Sequence, residues 1–240
     1  MKVEYKEKYN HIISFGCMCS CALFLKKFGF RDSSYFFDWL TSNIFGNIET
    51  IENDFKDVTN PGFFKQEYTD YPHLVTHTKY GFIYTHVFDA KTTYSKQSKQ
   101  VNKYTFKRIQ NFKKSLLDNS LLVYYCRDAE EQKEIEKSVN KLIEFTQKYS
   151  VDILFIFNNK VGSSFPFKSF VIPYNNIHYP IGGEVSYPFE GGDTEDMVSW
   201  LTSRYDENLR NKNLQFKRKR NVFKAVIRKL KQHKQNVLKF

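Results

Sequence analysis

Cysteine is scarce, four in 240 residues, and three of the four, Cys17, Cys19 and Cys21, fall within five positions. A disulfide-stapled secreted domain spreads its cysteines along the chain, so this pattern excludes one. No run approaches the ~20 apolar residues that span a bilayer. The polar start MKVEYKEKYN lacks the apolar core of a signal peptide. The expected location is therefore the cytoplasm. Gly16 stands alone, with no Gly-rich phosphate loop of the dinucleotide or Walker type, and no Gly-x-Ser-x-Gly elbow occurs. No nucleotide cofactor is expected. Acid is missing from one end: from Lys212 onward there are eleven Lys and Arg and no Asp or Glu. The rest of the chain holds 26 basic and 26 acidic residues, so the net charge of +11 belongs to the tail and says nothing about a ligand of the body.

What is abundant is apolar and aromatic surface. Hydrophobic residues make up 41% and aromatic ones 18%, enough to exclude disorder and to fill the core of one domain. The reading is an α/β body over 1–211 and a basic amphipathic tail over 212–240.

The body is organised around His11 to Trp39. An apolar strand, His11–Phe15, turns through Gly16 into an amphipathic helix, Cys19–Phe28, which Gly29 stops. Ser33–Phe37 reads as a short extended piece, and Ile44–Phe55 as a second helix. Two aromatic runs in 73–88 flank Lys79-Tyr80-Gly81 and suggest two strands or a hairpin. A basic polar helix follows over Tyr94–Leu117. Leu121–Cys126 and Val151–Phe157 are continuous apolar runs of strand length, joined by a charged helix over Ala129–Tyr149. Two strands buried on both faces and joined by a helix imply a parallel sheet. Further strands are expected at Phe170–Pro173 and Ile177–Ile181, and a helix at Thr194–Leu209 with Asp193 as its N-cap. The fold class is α/β, a layered sandwich with a mainly parallel sheet.

Ligands of such sheets sit beyond the carboxyl ends of the strands. Cys126, Arg127 and Asp128 then open onto the same crevice as Cys17 and Cys19. A thiol at a helix start feels the partial positive charge of the free amides, which lowers its pKa and makes it a better nucleophile. Cys19 is placed for this, although a free cysteine is also a small buried hydrophobe, the reading favoured for Cys21. Cys17 is a backup thiol or a turn residue. A metal site would need a second ligand pair at suitable spacing, which is missing.

The thiol needs a base. His86, with Asp89 three residues on, suits a Cys–His pair; His77 and His178 are the spare candidates. Asp38, between Phe37 and Trp39, is a structural hub or the third catalytic member, since a buried carboxylate needs partners. Arg127-Asp128 is an anion clamp or a surface pair.

Ser14-Phe15-Gly16-Cys17-Met18-Cys19, Ala22, Ser33-Ser34 and Phe37-Asp38-Trp39 resemble a sparsely characterised family of bacteria and large viruses named for papain-like cysteine peptidases, often encoded near surface-polysaccharide genes. Its pattern of Ser-Leu-Gly-x-x-Cys, Phe-Asp-Trp and a Tyr-Gly stretch leading to a His and an aromatic is met here by Tyr80-Gly81 and His86-Val87-Phe88, with Phe15 in place of the usual Leu. The resemblance covers most of 11–205 and implies Cys19 as nucleophile and His86 as base, acting on an acyl or peptide substrate. The βαβ reading of 121–157 fits a flavodoxin-like or serine-esterase-like sheet better than a papain-like fold. A thiol after the first strand would serve ester hydrolysis or acyl transfer equally. The rival role is a non-catalytic or transferase-like factor of surface-polysaccharide assembly, held at the membrane by its tail.

In the tail, Val222, Phe223, Val226, Ile227, Leu230, Lys234 and Val237 share one helical face and Lys and Arg fill most of the rest. That pattern over 216–240 fits an anionic membrane surface, which would make the protein peripheral to the inner face. Nucleic acid fits less well, because phosphate contacts make no use of the apolar stripe. A helix docked on the body is the third reading.

Overall fold

Two four-stranded sheets of opposite character carry the chain, one parallel and one antiparallel. The computed structural model describes residues 2–67, 71, 73–85, 87–88, 94–173 and 191–215, with the backbone alone over 94–100.

The parallel sheet has the order β1-β6-β7-β8, from β1 (His11–Ser14), β6 (Ser120–Cys126), β7 (Asp152–Phe157) and β8 (Ser169–Val171). Every residue of β6 and β7 is buried, as continuous apolar runs require when both faces of a sheet are covered. Successive side chains alternate between the faces. Ile12, Leu121, Val123, Leu154 and Ile156 pack with Cys21, Phe24 and Leu25 of α1 (Cys19–Lys27) and with Met197 and Leu201 of α6 (Thr194–Arg204). Ile13, Leu122, Tyr124, Ile153 and Phe155 share the opposite cluster. Their partners there come from α2 (Ile44–Glu52), α3 (Tyr94–Leu116), α4 (Ala129–Lys137) and α5 (Val139–Tyr149). This is the expected α/β layering.

Three local expectations change. The helix expected over Ala129–Tyr149 is two helices, broken at Ser138, which ends α4 and begins α5. The extended piece expected at Ser33–Phe37 gives way to a 3₁₀ turn at Phe36–Trp39. Asp193 stands at the N-cap of α6, but its carboxylate accepts from the Val171 N–H of β8 at 2.7 Å instead of from the helix.

The antiparallel sheet has the order β2-β5-β4-β3, from β2 (Leu40–Thr41), β3 (Phe64–Lys65), β4 (Val75–His77) and β5 (Phe82–Tyr84). Its β4–β5 hairpin turns at Gly81, whose φ is +69°. β2 and β3 are two residues each, too short to carry a periodic signal.

An aromatic cluster joins the two sheets. Phe15, the residue after β1, lies 5.3 Å from Phe37, 6.5 Å from Phe112, 6.3 Å from Tyr124 and 6.0 Å from Phe145 between ring centroids. Such ring pairs add about 0.5–1.5 kcal/mol each beyond their buried area. They fix the end of β1 against the Phe36–Trp39 turn.

Candidate active site at the end of strand β1

The helix after β1 leaves toward one face of the sheet and the helix after β6 toward the other. The carboxyl ends of these neighbouring strands therefore border a crevice of the kind that binds ligands in α/β sheets. Arg127 crosses it, its Nη1 3.6 Å from Met18 Sδ. Arg127 thus reaches across from β6 to the turn after β1, whereas Cys17 and Cys126, expected to open onto the same crevice, are buried.

The turn out of β1 is tightly specified. Phe15 N–H still donates to Val123 O at 2.8 Å. Gly16 then takes φ +110° and Cys17 φ +67°. A Cβ on Gly16 would lie 2.3 Å from Ser42 Oγ and 2.6 Å from Asn47 Nδ2, so only glycine fits. Asn47 Nδ2 donates to Phe15 O and holds the turn from behind. The Ser42 hydroxyl and Asn47 Oδ1 are buried without hydrogen-bond partners among the described residues. Sequence reasoning missed both residues, because nothing near them in the chain marks them.

Met18, the N-cap of α1, offers no capping side chain, and no acid occupies the first turn. The first amides of α1 thus keep their positive field. Cys19 stands at this start and is half-buried, whereas Cys17 and Cys21 are buried. Burial raises the Cys19 thiol pKa, and its own backbone N–H only partly opposes the rise. The expected lowering by the helix start is outweighed: a sulfur taken out of water resists ionisation more than nearby dipoles favour it. Burial likewise pushes Cys21 up to about 12. It pushes Cys17 up to about 12 as well, helped by Glu131 and opposed by the Arg127 N–H.

Beyond β6, Cys126 Sγ lies 3.3 Å from Asp128 O and 3.7 Å from Glu131 Oε2, and burial raises its pKa. Glu131 accepts from Tyr124 OH at 2.5 Å and from the first amide of α2, Ile44 N–H, at 3.1 Å. This carboxylate ties α4 to α2 behind the crevice. Asp128 caps α4, accepting from the Glu130 and Glu131 amides at 2.9 and 3.0 Å.

Asp38 is fully buried. Its Oδ2 accepts from Tyr35 N–H at 2.8 Å and from the Arg31 guanidinium; Oδ1 has no partner among the described residues. Burial raises its pKa against the pull of Arg31. Arg31, seven residues upstream, carries no sequence signal of this pairing.

The spare imidazole His77 lies in the small sheet, stacked on Tyr80 at 5.3 Å, its Nε2–H donating to Asp57 O at 2.9 Å. His11 sits at the opposite end of β1 from Cys19, its Nδ1 2.6 Å from Asp32. His86, Asp89, His178, the strand expected at Ile177–Ile181 and the tail 216–240 lie outside the described residues. Thr85, immediately before His86, donates its hydroxyl to Trp39 O at 3.2 Å. Among the described residues no group of three His, Cys, Asp or Glu could hold a metal ion.

No curated protein and no solved structure matches the chain. The sequence profile of one family, described as "Putative papain-like cysteine peptidase (DUF1796)", matches residues 10–160, well over half the chain and the whole span from β1 to β7, and the protein belongs to that family.

Proposed function

We propose that the protein is a thiol hydrolase or acyltransferase with Cys19 as nucleophile, His86 as base and Asp38 as the acid that orients the imidazole. The observation that carries this is the placement of Cys19: a half-buried thiol at the uncapped start of α1, behind a turn that tolerates only glycine at 16. A thiol made less acidic by burial is a poor nucleophile without a base. The buried Oδ1 of Asp38, without a partner among the described residues, supports its role, as does the hydrogen bond that ties Thr85, the chain neighbour of His86, to Trp39, the chain neighbour of Asp38.

In this reading His86 takes the Cys19 Sγ–H proton and the sulfur attacks a carbonyl carbon. The first amides of α1 receive the developing oxyanion. The tetrahedral species collapses, the leaving amine or alcohol takes the proton from the imidazolium, and a thioester remains on Cys19. Water attacks the thioester in hydrolysis, or a second nucleophile in transfer. A parallel sheet with the thiol just past a strand resembles the esterase arrangement and supports acyl chemistry beyond peptides. The basic stretch 216–240 would hold the enzyme at an anionic membrane surface; no described helix is long and apolar enough to cross a membrane.

The test is the rate of Cys19 alkylation by iodoacetamide against pH. An imidazole partner brings the midpoint below the ordinary thiol value of about 8.5. His86→Ala should return it to that value or above. A midpoint that already lies above it, unmoved by His86→Ala, refutes the assignment.

A further inference from the structure

Besides the tail, helix α3 is a basic segment without acid: its 23 residues include seven Lys and Arg and no Asp or Glu. Its inner face is occupied, with Val101, Thr105, Ile109, Phe112 and Leu116 buried. The opposite face, at spacings of three and four, runs Lys103, Phe106, Lys107, Gln110, Lys114 and Leu117, all exposed. Phe106 is 62% exposed and Leu117 is 89% exposed. Eleven residues separate them; carried one residue past the end of α3 to Leu117, α-helical geometry sets them about 20° and about 16 Å apart, on the same side of the helix. Leu117 continues the helical turn through its N–H to Lys114 O at 3.3 Å. Lys113, at the edge of the stripe, pairs with Asp54 at 2.5 Å, while Lys103, Lys107 and Lys114 point to solvent.

We infer that this outer face of α3 is a docking surface for an anionic membrane, with Phe106 and Leu117 entering the acyl boundary and Lys103, Lys107 and Lys114 meeting the headgroups. A single exposed apolar side chain means little. Phe106 on the helix and Leu117 in the turn that closes it, set among Lys103, Lys107 and Lys114 although Asp118 follows Leu117, match a helix that lies in the interface plane. Charge complementarity selects a negative partner. Leu117 selects lipid over nucleic acid, because a leucine has no π face on which a base could stack, whereas it partitions readily into hydrocarbon. The inference stands apart from the chemistry of Cys19 and from the tail. It gives the body a membrane contact of its own, and binding at such a surface grows with buried apolar area and with attraction to anionic lipid.

The experiment is co-sedimentation of the full chain with phosphatidylcholine vesicles, neutral or with about one third phosphatidylserine. Binding should require phosphatidylserine. Lys103→Glu, Lys107→Glu and Lys114→Glu together should weaken it by about a hundredfold or more, since each basic residue near such a surface contributes about 1 kcal/mol. Phe106→Ser with Leu117→Ser should weaken it about tenfold or more with all charges kept. The substituted side chains are exposed, so an unchanged thermal melt confirms folding. Binding within twofold of the parent for either variant, with the tail accounting for the whole affinity, overturns the inference. So does α3-dependent binding of single-stranded RNA without vesicle binding.

Discussion

Replacing Gly16 with alanine tests the construction of the β1 turn directly. At φ +110° an L-residue is strained by about 1–3 kcal/mol. The added Cβ would also meet Ser42 Oγ at 2.3 Å and Asn47 Nδ2 at 2.6 Å, both in a packed interior, and overpacking costs about 1–3 kcal/mol more. The sum, about 2–6 kcal/mol, is a large part of the 5–15 kcal/mol typical of a whole domain. For a chain of this size it corresponds to a fall of roughly 4–24 °C in melting temperature. The two parts are separable. Ser42→Ala removes the nearer clashing atom, and since that hydroxyl is buried without a described partner, the change should cost little alone. In Gly16→Ala/Ser42→Ala part of the loss should return, as a coupling of about 0.5–3 kcal/mol in a double-mutant cycle followed by urea unfolding. The strain remainder should persist. A Gly16→Ala protein that melts within a degree of the parent, or a cycle with no coupling, would refute the geometry of the turn.

Other outcomes follow from the same packing. Mass spectrometry of the native protein after brief alkylation should find label on Cys19 well before Cys17, Cys21 or Cys126, because only Cys19 is not buried; early label on Cys21 would contradict this. Arg31→Ala strips the charged partner from the fully buried Asp38 and should cost about 3–5 kcal/mol in urea unfolding, and a cost under 1 kcal/mol would show Asp38 to be neutral or hydrated. Chiefly through its hydrogen bond to Asp32, His11 has a raised pKa. Its contribution is thus present in full below the unfolded value of 6.5 and lost as pH rises through the folded one. Burial pushes the Asp32 carboxyl up, but the hydrogen bonds from His11 and Tyr35 together bring its pKa below the ordinary value, so its share disappears as pH falls through the folded value. His11→Gln should therefore destabilise more at mildly acidic pH than above pH 8, and equal losses at both would exclude the linkage. Reversing Lys217, Arg218, Lys219 and Arg220 to Glu in the full chain should reduce vesicle binding, and unchanged binding would remove the tail from the membrane reading.

Much of this protein was determined by local sequence. Leu121–Cys126 and Val151–Phe157 could be read as buried strands because both faces of each are apolar and their lengths suit strands. The β1–Gly16–α1 passage was legible because a strand, a lone glycine and an amphipathic helix follow one another without interruption. Phe37-Asp38-Trp39 drew notice as an acid among aromatic rings. These signals lie within one turn or one strand of the residue concerned.

Tertiary structure decided what depends on residues meeting across the chain. Asp38 obtains Arg31, Gly16 obtains Ser42 and Asn47, and Glu131 reaches Ile44, and no periodicity encodes such pairings. The two-residue strands β2 and β3 exist only because β4 and β5 offer them ladders. The direction of the Cys19 shift changed for the same reason. A helix start is a local property that a sequence displays, whereas burial of the sulfur depends on everything packed over it, and desolvation is the larger of the two effects.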